Sequence, residues 1–69
     1  MTTQADKIIM YIDRFGSITA LDALADLGVM RLAARIGDLR SDGLEIKTEM
    51  QYVRNRLDER VKIARYSWA

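Results

Sequence analysis

The apolar residues of this 69-residue sequence change their period once, at Gly43. Before Gly43 they recur every three or four positions, as in helices that face a core. From Leu44 to Met50, apolar and hydroxyl side chains alternate with charged ones, as in a strand with one solvated face. The sequence therefore predicts a helical part followed by a part made of strands.

The stretch from Ile18 to Gly43 predicts two helices joined by a tight turn at Gly28. Thr19 is a good N-cap for the first of these helices, and Asp22 stands three residues later, as in a capping box. Gly28 tolerates a positive φ angle, which a sharp corner between two helices requires. This arrangement is expected to place the two helices against each other at a fixed angle.

The second helix of this pair is expected to begin at Val29 or Met30, to run to about Ser41 and to end at Gly43 as an αL C-cap. At 100° per residue its apolar side comprises Val29, Leu32, Ala33, Ile36 and Leu39. Its outer side comprises Met30, Arg31, Ala34, Arg35 and Asp38. A slim, basic outer face suits the major groove of DNA, although an ordinary amphipathic helix with solvated charges has the same pattern.

The flanking segments complete the predicted order of elements. A first helix is expected over about 3–15, and Ile18 follows as either a very short strand or a buried residue in a linker. The C-terminal part predicts a strand, a polar hairpin loop over 51–59 and a second strand over 60–66, with a bulge or strand end near Ala64. The expected core comprises Tyr11, Phe15, Leu24, Leu27, Leu32, Ile36, Leu39, Ile46, Val61 and Ile63.

The composition removes several classes of function. Neither Cys nor His occurs, which excludes disulfides, thiolate metal sites and the commonest general base. The carboxylates and serines form no catalytic constellation, so no enzyme activity, catalytic residue, cofactor or metal site is expected. A single domain over residues 1–69 is expected from the length. No long apolar run marks a membrane segment, so a cytoplasmic protein is expected.

The charges are unevenly distributed along the chain. The net charge is only +1, but residues 1–26 carry −2 and residues 27–69 carry +3. A polar and basic cluster on the expected hairpin comprises Lys47, Arg54, Asn55, Arg56, Arg60 and Lys62. Two arginines around an asparagine at a hairpin tip suit phosphates or a groove edge, although a solvated loop has the same composition.

The order helix, short strand, helix, turn, helix, strand, strand is that of a winged helix-turn-helix. The run ITALDALADLGVMRLAARIGDLRSDGLEI, followed by VRNRLDERVKIARY, resembles the small winged helix-turn-helix DNA-binding domains of bacteriophage and prophage proteins. The resemblance extends over about 8–66 and implies an α+β fold, mostly α, with three helices and a C-terminal wing of two or three antiparallel strands. Where such wings often turn on a glycine, this chain has Asp58, which predicts a longer or less tight turn.

The resemblance implies that the recognition helix, about 30–41, lies in the major groove and that the wing, about 51–60, lies on the backbone or in the minor groove. Arg31 is then placed to reach guanine. Arg35 either binds phosphate or pairs with Asp38 or a neighbouring acid. Thr19 either caps its helix or contacts phosphate.

Two further side chains are expected to hold the domain together. Arg40 is expected to be an intramolecular tether whose guanidinium pairs with an acid such as Asp42 or one on the first helix. Trp68 either caps the core or frays, and with Tyr66 it is an alternative dimer contact.

The function expected from these residues is sequence-specific binding of double-stranded DNA. The resemblance implies a phage or prophage transcriptional regulator or an excisionase-like accessory factor, in the cytoplasm of a bacterial host. A protein-interaction module that binds a host or phage protein is the alternative, because the fold serves both purposes. A homodimer is a further expectation, since one small module buries little DNA surface.

Overall fold

The structure is a computed structural model that describes residues 3–69. Its elements in chain order are α1 (Gln4–Phe15), β1 (Ile18–Thr19), α2 (Ala20–Asp22, continued as a π-helix over Ala23–Leu27), α3 (Leu32–Ser41), β2 (Ile46–Arg54) and β3 (Arg60–Trp68). The strands form one antiparallel sheet in the order β1-β3-β2. This architecture confirms the predicted fold class, including a short strand at Ile18, which pairs with Tyr66 of β3.

Local capping chemistry sets both ends of α1. The Thr3 hydroxyl accepts a hydrogen bond from the Asp6 amide at 3.1 Å, and the Asp6 carboxylate accepts one from the Thr3 amide at 3.3 Å. These two bonds form a capping box, which satisfies amides that a helix start leaves unpaired. Gly16 ends the helix with a φ of +89°, and α1 buries Ile8 and Ile12 against the rest of the domain.

A second capping box starts α2, as the sequence predicted. The Thr19 hydroxyl accepts from the Asp22 amide at 3.2 Å, and the Asp22 carboxylate accepts from the Thr19 amide at 3.0 Å. Thr19 is also the last residue of β1. The chain therefore passes from sheet to helix without an intervening loop.

The corner between α2 and α3 is longer than the sequence predicted. Gly28 ends α2 with a φ of +70°, and the Val29 amide then donates to the Ala23 carbonyl at 2.9 Å. Val29 is buried, and the next residues do not continue as a helix, because Arg31 has a φ of −122° and a ψ of 60°. As a result α3 begins at Leu32, and the predicted start at Val29 or Met30 is wrong.

The hairpin of β2, β3 and their connecting residues 55–59 is longer and more regular than predicted. Its two strands have nine residues each and pair in one unbroken register. The predicted loop over 51–59 is wrong at its beginning, because β2 continues to Arg54. The register also runs through Ala64, so the predicted bulge or strand end there is wrong.

The helices and the base of the sheet enclose a single core. Its buried members are Ile8, Ile12, Ile18, Ala23, Val29, Leu32, Ile36, Leu39 and Ile46. Tyr11, Leu27, Leu44, Tyr66 and Trp68 are among the partly buried side chains that pack against this cluster. Leu32, Ile36, Leu39 and Ile46 thus confirm part of the predicted core.

Three predicted core residues are exposed instead. Phe15 is 61%, Leu24 50% and Val61 36% exposed. For Val61 the reason is the parity of β3: Tyr66 and Trp68 pack on the core, and side chains alternate along a strand, so Val61 lies on the opposite face. Phe15 is the last residue of α1, and Leu24 follows the buried Ala23 by one position around α2.

Two side-chain hydrogen bonds hold α1 to other elements. The Trp68 Nε1–H donates to Asp13 Oδ1 at 2.7 Å, so the indole covers the core and does not fray. The Tyr11 hydroxyl donates to Asp26 Oδ2 at 2.6 Å, and this hydrogen bond is the main cause that raises the pKa of Tyr11 to about 12. Every helix described between residues 3 and 69 is too short or too polar to cross a membrane.

Candidate nucleic-acid interface

The outward face of α3 carries small side chains. Leu32, Ile36 and Leu39 point into the core, which fixes the rotation of the helix. Ala33, Gly37 and Ser41 are exposed, whereas Ala34 is half-buried. The sequence had placed Ala33 on the buried side and Ala34 on the outer side, and the structure reverses this order of exposure. A helix with such a slim face can approach another surface closely.

Arg35 and Asp38 neutralise each other on the flank of α3. Arg35 Nη1 lies 3.3 Å from Asp38 Oδ2, and the two side chains are 37% and 63% exposed. An exposed ion pair of this kind contributes little to stability. Of the two roles predicted for Arg35, pairing with Asp38 is present in the structure, and phosphate binding stays a prediction.

Met30 and Arg31 precede α3 and do not belong to it. Arg31 is the N-cap residue of the helix, and its side chain makes no capping hydrogen bond. Met30 is 82% exposed. Together with Gly28, Gln4 and Arg35 these residues line a shallow depression beside the start of α3. The predicted base-reading arginine therefore lies at the corner before the helix.

Thr19 lies at the junction between the sheet and α2. Its side chain is only 5% exposed, and its hydroxyl is occupied by the capping box of α2. Of its two predicted roles, capping is the one that the geometry supports. Because Thr19 also pairs with Arg65 of β3, it connects the start of α2 to the sheet.

The five residues at the hairpin tip form a tight turn organised by Asn55. Asn55 Oδ1 accepts from the amides of Leu57 and Glu59 at 2.9 and 3.0 Å, and the Asp58 amide donates to the Asn55 carbonyl at 3.0 Å. Asp58 has a φ of +61°. The Asn55–Asp58 hydrogen bond closes a turn, and the left-handed Asp58 is the last of the three loop residues 56–58, as in a common hairpin connection. The prediction that Asp58 would loosen the turn is wrong, because aspartate tolerates the left-handed conformation.

The arginines of the turn differ in their contacts. Arg54 Nη1 donates to the Asp58 carbonyl at 2.8 Å and lies 3.5 Å from the Asp58 carboxylate, so it braces the turn. Arg56 is exposed at the tip of the hairpin. Asn55 is committed to the turn through its Oδ1, and its Nδ2 donates to Glu59 at 3.3 Å. Of the three predicted contact residues in the turn, Arg56 is therefore the one whose side chain is exposed and not engaged by the turn itself.

The register separates the lysines of the hairpin and groups other cations around an aromatic ring. Lys62 pairs with Tyr52 across the strands, with its Nζ 5.8 Å from the ring centroid. Arg60 Cζ lies 4.1 Å from the same ring. Lys47 has the opposite parity in β2, so it points to the other face of the sheet. The sequence singled out Lys62 but not Tyr52, because cross-strand neighbours become visible only once the register is known.

An open cleft separates the helices from the hairpin. Its apolar lining comprises Ala20 and Leu21 of α2, Ala33 of α3, and Val53, Ile63 and Ala64 of the hairpin. Arg54 and Lys62 also line it. The outward face of α3 and the hairpin thus border one continuous surface.

Arg40 fixes the angle between α3 and the hairpin. Its Nε and Nη2 donate to the Ile46 carbonyl at 3.1 and 2.7 Å, and its Nη2 also donates to Thr48 Oγ1 at 2.8 Å. Its guanidinium carbon lies 6.0 Å from the centroid of the Tyr66 ring. The predicted tether is present, but its partners are a carbonyl and a hydroxyl of β2 and not an acid such as Asp42.

The charge of the molecule is concentrated on the hairpin. Residues 46–68 carry six basic and three acidic side chains, whereas residues 3–45 carry five basic and seven acidic ones. The hairpin is therefore a basic arm beside a slightly acidic helical layer. Such a distribution is the electrostatic pattern of a surface that binds a polyanion.

Comparison with known proteins agrees with this architecture. Residues 3–69 match a family model described as a winged helix-turn-helix domain. Neither a curated protein nor a solved structure matches the chain significantly. Domains of this family point to DNA binding in general and are typically not enzymes. The match spans nearly the whole chain, and the protein therefore belongs to the winged helix-turn-helix family.

Proposed function

We propose that this chain binds double-stranded DNA in a sequence-specific manner, with the outward face of α3 at the major groove and the hairpin, as the wing, against the backbone or minor groove. The observation that carries the proposal is the basic hairpin beside a helix of small outward side chains. DNA affinity rests largely on phosphate neutralisation, and a slim helix fits the major groove.

The biological role we propose is that of a phage or prophage transcriptional regulator or an excisionase-like accessory factor in the cytoplasm of a bacterial host. The resemblance to small phage and prophage domains supports this role. In both roles the domain must find one site among many, which requires base contacts in addition to phosphate contacts. Arg31, at the corner before α3, is the residue we assign to such a contact.

A binding titration with labelled DNA tests the proposal. The probe is a fluorescein-labelled 30-bp duplex of random sequence, and anisotropy is measured at 50 and 200 mM salt. We expect binding at the lower salt and a marked loss of affinity at the higher, because phosphate contacts release counterions. Arg56→Ala should weaken binding, whereas Lys7→Ala, a charge change on α1, is the matched control.

A second candidate function, a protein-interaction module, is favoured by one observation on α1. Met10 and Phe15 are 63% and 61% exposed, and with Tyr11 and Leu27 they line an apolar groove away from the hairpin. A host or phage protein, or a second copy of this chain, would suit such a groove. No DNA binding at 50 mM salt, together with loss of a dimer on Met10→Ala in sedimentation, would favour this function.

A further inference from the structure

The cleft between the helices and the hairpin is apolar at its floor and walls, in contrast to the basic hairpin beside it. Leu21 is 74% and Val53 40% exposed, and Ala33 is exposed at the first turn of α3. Ile63 and Ala64 of β3 are half-buried behind them. An exposed apolar surface of this kind on a small domain indicates a contact with something that offers apolar groups.

The cations around the cleft indicate that its occupant is DNA. Arg54 and Lys62 line the same cleft, and the hairpin that carries them has twice as many basic as acidic side chains. A duplex presents phosphates at its grooves, which match these cations. In the major groove the apolar group that a base pair offers is the 5-methyl group of thymine.

The two arginines of α3 are already engaged, which limits how the helix itself can read bases. Arg35 is paired with Asp38, and Arg40 is bound to Ile46 and Thr48 of β2. A bidentate contact with guanine from within α3 would therefore have to break an existing interaction. Apolar contact through Ala33 and Leu21 breaks none.

We propose that this cleft recognises the 5-methyl groups of thymines and that the preferred DNA sites of the protein contain thymine where Leu21 and Ala33 meet the major groove. The inference rests on the proposed DNA binding and specifies the chemistry that the helices read. Lys62 would hold a flanking phosphate, so the methyl groups are brought against the apolar lining. A site of this kind distinguishes thymine from cytosine without a hydrogen bond.

Replacing thymine by uracil tests this inference, because the two bases differ only in the methyl group. The probe is a labelled 30-bp duplex of one mixed A·T sequence, synthesised once with thymine and once with deoxyuridine. Burying one methyl group favours binding by about fourfold at the usual transfer energy, so the thymine duplex should be bound at least about fourfold more tightly. Leu21→Ala should bring the thymine-to-uracil ratio of affinities close to one.

Leu24→Ala is the matched control, since Leu24 is an exposed leucine on the same helix as Leu21 but outside the cleft. It should keep the full ratio, and near-UV circular dichroism of Trp68 checks that both variants are folded. Equal affinity of the unaltered protein for the two duplexes overturns the inference while leaving the proposed DNA binding intact. Undiminished discrimination in Leu21→Ala also overturns it, whereas failure to bind either duplex contradicts the proposed function itself and leaves a protein partner for the cleft.

Discussion

The helix α3 and the hairpin border the same cleft, but they contribute to it in different ways. Leu32, Ile36 and Leu39 bury one side of α3, and its arginines are bound within the domain. The hairpin leaves most of its side chains in solvent and carries six basic residues against three acidic ones. The helix therefore provides a rigid shape, and the hairpin provides charge.

This difference separates two properties that a DNA-binding domain needs. A rigid, slim element can discriminate between sites, because base contacts depend on precise placement. A basic, exposed element raises affinity for any sequence through phosphate contacts. We therefore expect substitutions on the buried side of α3 to change stability, and substitutions on the hairpin to change the salt-dependent affinity for DNA.

The largest effect on stability is expected for Ile36→Ala, which removes the centre of the buried side of α3. Ile36 is 1% exposed, and a 69-residue domain has little core to spare. The free energy of unfolding should fall by roughly 2–4 kcal/mol. Urea denaturation measures it, with the 82% exposed Met30→Ala as the control. An unchanged midpoint for Ile36→Ala would show that α3 is not anchored as described.

Arg31→Ala should produce a loss of sequence discrimination with little loss of stability. At a preferred site selected from a random library, binding should weaken by on the order of 1–3 kcal/mol, while binding to random DNA changes less. Titrations on the selected duplex and on a scrambled one measure the difference. Equal losses on both duplexes would mean that Arg31 contacts phosphate and not a base.

Arg40→Met tests the connection between the two regions. The variant keeps an unbranched apolar stem and removes the guanidinium with its hydrogen bonds to Ile46 and Thr48. Hydrogen bonds from a charged group are stronger than neutral ones, but the Arg40 guanidinium is partly solvated. We therefore expect a loss of about 1–2 kcal/mol in the free energy of unfolding. Arg56→Met is the matched control at the hairpin tip. Coinciding urea curves of the two variants would count against the link.

An effect no larger than that of Arg40→Met is expected at the turn of the hairpin. Asp58 has a positive φ, which a β-branched residue adopts only with strain, so Asp58→Val should lower stability by about 1–2 kcal/mol. Asp58→Gly removes the strain, so its free energy of unfolding should exceed that of Asp58→Val by about the same amount. Thermal denaturation compares them, with the 79% exposed Leu57→Val as the control. If all three variants melt together, the turn is more adaptable than its hydrogen bonds indicate.

The sequence predicted those features that local chemistry determines. The period change at Gly43, the capping box of Thr19 and Asp22 and the positive φ of Gly28 depend on neighbouring residues, and the structure confirms all three. The α3 boundary did not follow from the local pattern. Arg31 has a non-helical conformation, with a φ of −122° and a ψ of 60°, and no neighbouring residue in the sequence predicted it.

The contacts of individual side chains could be predicted less well, because they depend on register. Apolar residues of both parities occur in β3, and only packing against the helices decides that Tyr66 and Trp68 face inward while Val61 faces solvent. The partner of Arg40 likewise became evident only once β2 lay beside α3. Tyr52 and its cations are a third example, since they meet across the strands.

The salt dependence of DNA binding by two matched arginine variants tests the contrast between helix and hairpin most directly. Arg56 is exposed on the hairpin, whereas the charge of Arg35 on α3 is paired with Asp38. On a random 30-bp duplex, Arg56→Ala should flatten the slope of log K against log salt by about one unit, while Arg35→Ala leaves it nearly unchanged. A flattened slope in Arg35→Ala with an unchanged slope in Arg56→Ala would contradict the assignment of charge to the hairpin.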